Sequence, residues 1–528
     1  MMLRVTLLLL VVTAALARMN VLFLVSDDMR PELSIFKGKD FPSPVHPPMH
    51  SPNLDALARR SLLLKRAHVQ QAVCSPSRSS LLTGRRPDTT HVYDLQVYWR
   101  VVGGNFTTIP QYFKENGYRT IGSGKIFHPG HASNYNDPIS WTDPYFESGK
   151  EANMFVYDYK APVSWMNVPM DLLKNNSLQD TQNADFAIKM IREAAPQARS
   201  GERPFFIAQG FHKPHLAFVA PQMFFDMYPE SSISLPANPY APDKMPEIAW
   251  SNYITTELGK FVDIAKLNAS GDINSTLPND VILKLRRAYY SALSYTDYEL
   301  GRVVKELENQ GLANNTIISF WGDHGWQLGE HGEWCKHTDF EIATHAPMMV
   351  HVPGLTDNGI VTEELTEFVD LFPTLVEAAG LPALDLCPEN STNVLLCTEG
   401  NSLIPLITNP ASPNWKKAVF SQYPRNENNG DQMGYSMTTD HYRYTEWVQF
   451  NSQPLYRPDW TQVFGVELYD HYQDPEENKN LAYDSAYSAI VAQLSKQLHA
   501  GWRAARPKWV GQQKDGISTN ASVRLPGD

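Results

Sequence analysis

From residue 20 to about residue 410, short apolar runs alternate with stretches whose apolar positions recur every three or four residues. The runs at 21–25, 62–67, 118–122, 205–208, 317–321 and 348–352 predict strands, rich in Val, Ile, Leu and Phe and bounded by polar or turn residues. Helical spacing marks 54–60, 110–116, 184–194, 281–310 and 371–379, with Gly117 and Gly311 placed as stops. Such alternation predicts an α/β fold: a doubly wound, mostly parallel sheet with helices on both faces. Near Pro410–Trp415 the pattern changes to strand-and-turn segments at 418–422, 434–438, 442–448 and 467–469, then a helix over 490–504. The expected division is a catalytic domain over 18–412 and a smaller C-terminal α+β subdomain with an antiparallel sheet over 413–528. Its last residues, 508–528, read as a loose polar tail.

The first residues carry a different signal. Arg4, an apolar run over 5–16 and the Ala15-Leu16-Ala17 pattern read as a signal peptide, residues 1–17, with the mature chain starting near Arg18. About 12 apolar residues fall short of the roughly 20 that span a bilayer, and no later segment is expected to span. The secretory pathway is the expected compartment, with a lysosomal or secreted destination. Seven N-x-S/T acceptors, at Asn105, Asn175, Asn268, Asn274, Asn314, Asn390 and Asn520, are compatible with it. So is a disulfide between Cys387 and Cys397, which flank a short polar loop and would add about 2–3 kcal/mol by loop closure. Cys74 and Cys335 have no evident partner, and a bridge between them is the structural alternative.

Composition narrows the function. A chain of 528 residues with 42% hydrophobic and 19% charged residues has the make-up of a folded enzyme. Its formal charge of −12 argues against nucleic acid as a partner, while leaving room for a local cationic pocket.

The chemistry-bearing residues sit just beyond predicted strands: Asp27 and Asp28, Lys125 and His128, His212 and His215, Asp323 and His324. In doubly wound sheets that carboxyl edge is where ligands bind. Adjacent carboxylates such as Asp27 and Asp28 repel unless something positive lies beside them, and a hard divalent cation suits oxygen donors. A solvated turn would explain that pair alone; Asp323 at a second strand end favours the metal. In Cys74-Ser75-Pro76-Ser77-Arg78, Pro76 suits a helix start and Gly84 its stop. Cys74 would meet the positive end of the helix, with Arg78 one turn on.

The segment CSPSRSSLLTGRR resembles the signature of the type I sulfatases, and NVLFLVSDD, GKIFHPG, GFHKPH and GDHGWQLGEHGEW extend the similarity over nearly the whole chain. The resemblance implies an alkaline-phosphatase-like fold, one calcium ion, and a Cys74 oxidised to formylglycine by a dedicated formylglycine-generating enzyme. In that scheme the hydrated aldehyde offers two hydroxyls: one attacks sulfur, and the other later expels sulfate by reforming the carbonyl. The implied metal set is Asp27, Asp28, Asp323 and His324, with modified Cys74 adding an oxygen. Arg78 and Lys125 would steady the hydrate, and His128 would act as base in the expulsion. His212 and Lys336 would contact the sulfate, either being able to protonate the leaving oxygen. His331 and His337 read as structural residues, and His215 as a loop contact or a site residue.

QQAVCSPSR, GRRPDTT, HGEW and QYPR are most similar to the subgroup that removes the 2-O-sulfate from non-reducing-end L-iduronate of heparan or dermatan sulfate. Arg443 would then meet the ring carboxylate and Trp326 the apolar face of the sugar; a hairpin arginine and a core tryptophan are the structural alternatives. Three departures touch the cleft: no cysteine pair within 150–169, Cys335 where a small residue is usual, and a short insert between Pro353 and Glu367. Competing readings are a sulfatase for another sulfated polysaccharide, a non-catalytic binder of sulfated glycans, and a phosphatase or phosphonate hydrolase of the same superfold.

Overall fold

The computed structural model describes residues 18–36, 44–148, 162–174, 177–425, 432–451 and 455–508. The expected signal peptide, nearly all of the polar tail and part of the 150–169 segment fall outside them.

Seven strands form the main sheet: β1 (Asn20–Asp27), β2 (Leu62–His68), β3 (Arg119–Gly124), β4 (Phe205–Pro214), β5 (Thr316–Gly322), β6 (Met348–His351) and β7 (Ile360–Glu367). Their order is β7-β2-β6-β5-β1-β4-β3. Every pairing is parallel except those of β6, which runs antiparallel to both β2 and β5. The central strand shows why its sequence lacks polar alternation. Leu22 and Leu24 enter one core, and Val21, Phe23 and Val25 enter the other, all fully buried. A strand covered on both faces has no solvent side to mark.

Six helices matter for the site and the two cores: α1 (Pro52–Ala58), α2 (Cys74–Thr83), α3 (Ile109–Glu115), α4 (Gln179–Ser200), α5 (Asn279–Asn309) and α6 (Leu371–Ala378). Helices α1, α4 and α5 pack on the Leu22 face, while α2, α3 and α6 pack on the Phe23 face. In α5 the buried Leu285, Tyr289, Leu293, Leu300 and Leu307 recur at helical spacing and supply its apolar stripe. Replacing a filled core side chain such as Phe23 with alanine would cost about 3–5 kcal/mol.

The second sheet is an antiparallel meander, β8 (Ala418–Arg425), β9 (Gln432–Thr439), β10 (Tyr442–Asn451) and β11 (Arg457–Asp470), backed by α7 (Ser488–Ala505). Strand β11 is far longer than the expected 467–469, because its first half is largely exposed and carries no apolar alternation. Likewise α4 extends well beyond 184–194, at its start through polar residues of which Asp180 and Asn183 are buried, and at its end through a turn closed by the exposed Arg199 and Ser200. The Cys387–Cys397 disulfide forms as expected, with a Cα–Cα separation of 4.9 Å.

A buried ion cluster joins the second sheet to the first. Lys416 Nζ donates to Asp370 at 2.7 and 2.8 Å and to Glu367 at 2.9 Å; Arg86 grips Glu367 through two bonds of 2.8 Å. Removing one partner from such a cluster strands a buried charge, at about 3–5 kcal/mol. Lys416→Met is therefore expected to lower the calorimetric unfolding temperature by several degrees; an unshifted transition would show that the cluster does not hold the joint.

Candidate active site

Strands β1 to β5 and β7 all point their carboxyl ends to one edge, and the expected residues converge there. Asp27 ends β1, Lys125 follows β3, His212 lies in β4, and Asp323 follows β5. The connection after β2 leads into α2, where Gly84 at φ 66° terminates the helix. Cys74 is the first helical residue and is 2% exposed. Two glycines let β3 and β4 close on each other here. A Cβ at Gly124, itself at φ 71°, would sit 1.9 Å from the Gly210 carbonyl oxygen, and one at Gly210 would collide with the Lys125 backbone.

One donor atom from each of Asp27, Asp28, Cys74, Asp323 and His324 lies within 4.8 Å of the others, and all five side chains are buried. Arg78 binds the rim together. Its Nε donates to Asp323 at 2.9 Å, one Nη to Asp27 at 3.0 Å, and the other to the carbonyls of Lys125 and Ile126. Lys125 Nζ donates to Asp27 and lies 3.5 Å from the Cys74 sulfur. Lys336 Nζ donates to both oxygens of Asp28, at 3.0 and 3.1 Å.

The electrostatics bear on a cation. Burial pushes the Asp27 carboxyl up, but Lys125, His215 and Arg78 more than reverse this and hold it well below the usual range. Asp28 is driven well above that range by burial, with Asp27, Glu257 and Asp323 adding to it against Lys336. His324 is brought down to about 4 by burial, so its imidazole is neutral. Its Nδ1 lies 2.9 Å from the Gly325 carbonyl, which can only accept, so the proton is on Nδ1. The Nε2 lone pair then faces Asp28 at 3.3 Å, Asp323 at 3.5 Å and the Cys74 sulfur at 3.5 Å. An orienting bond on the far nitrogen is how histidine ligands are set. Three carboxylates and one nitrogen fit a hard divalent ion.

Cys74 is a poor nucleophile as encoded. Burial first and Asp27 next push its thiol well above its ordinary value, against Lys125 and Lys336. The helix N-terminus does not produce the thiolate that the sequence left open.

A cavity of about 350 Å³ opens beside the cluster, lined by Asp27, Lys125, His212, Lys213 and His215 among others. His212 is tied to Asp180 at 3.1 Å and to Gln179 at 3.1 Å. His215 lies closer to the carboxylates, with Nε2 3.5 Å from Glu257 and 3.8 Å from Asp28. His128 is held near 3 by burial and Lys125, so its imidazole is neutral, and its Nδ1 has no hydrogen-bond partner among the described residues.

Two expected substrate contacts stand elsewhere. Arg443 is 1% exposed, donates to Glu477 at 2.6 Å, and has Phe340 and Tyr469 against its guanidinium. It does not line the cavity and its charge is already matched. Trp326 is fully buried against Phe218, with Lys336 Nζ 4.6 Å from its ring centroid. It supports the lysine from below instead of meeting the cavity. Sequence reasoning missed Glu257, which the loop between β4 and α5 carries into the site with no motif around it, and it set His337 aside as structural. The GFHKPH segment did offer a signal for His215.

The chain matches the family model described as Sulfatase over residues 19–381 and that described as N-sulphoglucosamine sulphohydrolase, C-terminal, over 329–503. It is 37% identical to the iduronate 2-sulfatase of Mus musculus, covering 90% of this chain and 93% of that one. To the iduronate 2-sulfatase of Homo sapiens it is 38% identical, over 88% and 92%. A solved 2-O GAG sulfatase shares the fold at a TM-score of 0.65 and 20% identity, covering 94% of this chain and 93% of that one. The phosphonate monoester hydrolase of Agrobacterium radiobacter shares it at 0.66 and 21%, covering 92% and 95%.

Near the site, Asp339 is buried, neither carboxylate oxygen has a hydrogen-bond partner among the described residues, and burial pushes it up to about 8 despite Arg443 and Arg425. The folded protein keeps this proton up to about pH 8, whereas the unfolded chain releases it near pH 4. Stability from this group is thus present at low pH and lost as pH rises between those values. Asp339→Asn is expected to gain on the wild type in unfolding temperature as pH goes from 5 to 8. A gap equal at both ends would place the carboxyl in an ordinary environment.

Proposed function

The chain belongs to the sulfatase family, and from that premise we propose that it removes the 2-O-sulfate from non-reducing-end L-iduronate in heparan or dermatan sulfate. The single observation that carries the reading is the buried cluster of Asp27, Asp28, Cys74, Asp323 and His324 at the edge of a cavity whose wall carries Lys125 and Lys213 among carboxylates. The substrate assignment rests on the similarity to iduronate 2-sulfatases over about nine-tenths of the chain.

Calcium is the ion proposed for the carboxylates and His324, and it would supply positive charge against the charge developing on the ester oxygens. Formylglycine is proposed at position 74, made by a formylglycine-generating enzyme; the aldehyde would supply the nucleophilic oxygen that the buried thiol does not. Arg78 fixes Asp27 and Asp323 relative to that position, and Lys125 puts a cation on its other side. Lys336 presents positive charge to a sulfate entering beside Asp28, and His215 stands at the same wall. His128 is the proposed base and His212 a second contact at the cavity wall. With Arg443 engaged by Glu477, the sugar carboxylate must look to the cavity's own cations. Lys213, lowered to about 8 by burial, lines that wall.

A secretory-pathway location, lysosomal or secreted, is supported by the N-terminal apolar run and the Cys387–Cys397 disulfide. No helix among the described residues is long and apolar enough to cross a membrane.

Disaccharides ending in iduronate 2-sulfate are expected to be desulfated, with activity lost on chelation and restored by calcium. Hydrolysis only of a different sulfated sugar would replace the substrate assignment and keep the chemistry. Asp323→Asn is expected to lose at least about a hundredfold in kcat/KM, and a variant as active as wild type would remove the cluster from the reaction. In peptide mass spectrometry of active protein, the Cys74 peptide should be lighter by the difference between a thiol and an aldehyde. Fully alkylatable Cys74 in active enzyme contradicts that modification.

A further inference from the structure

Lys336 is held from two sides. One side is Asp28, whose oxygens belong to the proposed ion site. The other is Glu257, whose Oε1 lies 3.3 Å from Lys336 Nζ and 3.5 Å from His215 Nε2. Glu257 is 8% exposed, accepts from Lys336, and stands beside His215, the second side chain that lines the cavity there. Its second oxygen, Oε2, lies 3.3 Å from His337 Nε2, and His337 Nδ1 lies 2.6 Å from the Tyr423 hydroxyl. A carboxylate accepts only, so His337 donates from Nε2 and the tyrosine donates to Nδ1. The contacts run without a gap from strand β8 to the sulfate-facing cations.

Tyr423 belongs to the QYPR segment, whose role the catalytic chemistry leaves open. Two residues on, Arg425 points from the same face of β8, as strand geometry requires. Its guanidinium donates to the His337 carbonyl at 3.0 Å and to the carbonyls of Ile248 and Ala249 at 2.8 and 2.6 Å. It also lies over the rings of Tyr423 and Trp447. Arg425 therefore ties together the segment carrying His337 and the segment leading to Glu257.

We propose that Glu257, locked by His337 and Tyr423, is a positioning residue that keeps Lys336 and His215 aimed at the sulfate group, so that the C-terminal sheet sets how tightly the cleft holds sulfate. The inference rests on the sulfatase reading for the identity of the ligand. Glu257 touches neither the ester nor the nucleophile; it acts through the lysine and the histidine.

Charge and position make opposite demands, which allows a test. If Glu257 matters only as a negative charge near an anion, removing it should tighten sulfate binding, and alanine and glutamine should behave alike. If it matters as a brace, alanine should weaken binding while glutamine, which keeps the shape and two polar atoms, largely restores it. Inorganic sulfate binding to the full-length enzyme by titration calorimetry reads this directly, alongside KM for the sulfated disaccharide. Glu257→Ala is expected to raise both constants about tenfold, with Glu257→Gln within about threefold of wild type. Tyr423→Phe, which removes one hydroxyl far from the ester, is expected to raise the sulfate constant about threefold; it remains informative if the alanine variant fails to fold. Tighter binding by both Glu257 variants, or unchanged binding by Glu257→Ala or Tyr423→Phe, overturns the proposal. A wild-type enzyme that hydrolyses no sulfate ester overturns the functional reading instead, since these variants are scored against an active parent.

Discussion

Buried carboxylates at the end of β1 and β5 repel one another, and no packing of apolar groups can offset that in a site withdrawn from water. The arrangement around them follows from this repulsion. Arg78 reaches two of them from one turn into α2, Lys125 takes a third oxygen from the end of β3, and Lys336 covers Asp28. The neutral His324 turns its lone pair inward onto the same carboxyl groups, a donor set that could hold a metal ion. The same repulsion explains why elements far apart in sequence end on one edge: each brings a charge of required sign.

The sequence made the metal cluster legible because strand ends are marked twice, by an apolar run and by the polar residue that breaks it. Asp27, Lys125 and Asp323 follow such runs, and the structure places all three at the same edge. The doubly wound sheet was legible for the same reason. Less visible were elements without an apolar pattern, such as the largely exposed first half of β11 and the polar start of α4, where Asp180 and Asn183 are buried. The reversed direction of β6 was also hidden, since an apolar run carries no sign of its orientation.

Side chains that work through other side chains were the least legible. Glu257 sits in a loop of short turns without a repeating pattern, and only three dimensions bring it beside Lys336. Arg443 and Trp326 differ in the opposite way, standing off the cavity. A cation or an indole near a motif suggests a ligand, but both have their requirements met inside the protein, by Glu477 and by Phe218 and Lys336. A sequence does not show which charges are already matched.

Strand β6 has a further consequence. Because it runs against β5, the chain leaves the sheet after Gly322 and rejoins it at Met348 on the same edge, with no helix needed to carry it across the layer. Residues 323–347 are therefore one uninterrupted excursion over the cleft, holding Asp323, His324, Trp326, Lys336, His337 and Asp339. Trp326, Leu328, Trp334 and Cys335 anchor that stretch in the apolar core, and its backbone bonds to Ser26 and Ala72 hold it against β1 and the segment before α2. A single segment thus carries both the charges of the site and part of the apolar interior that holds them still.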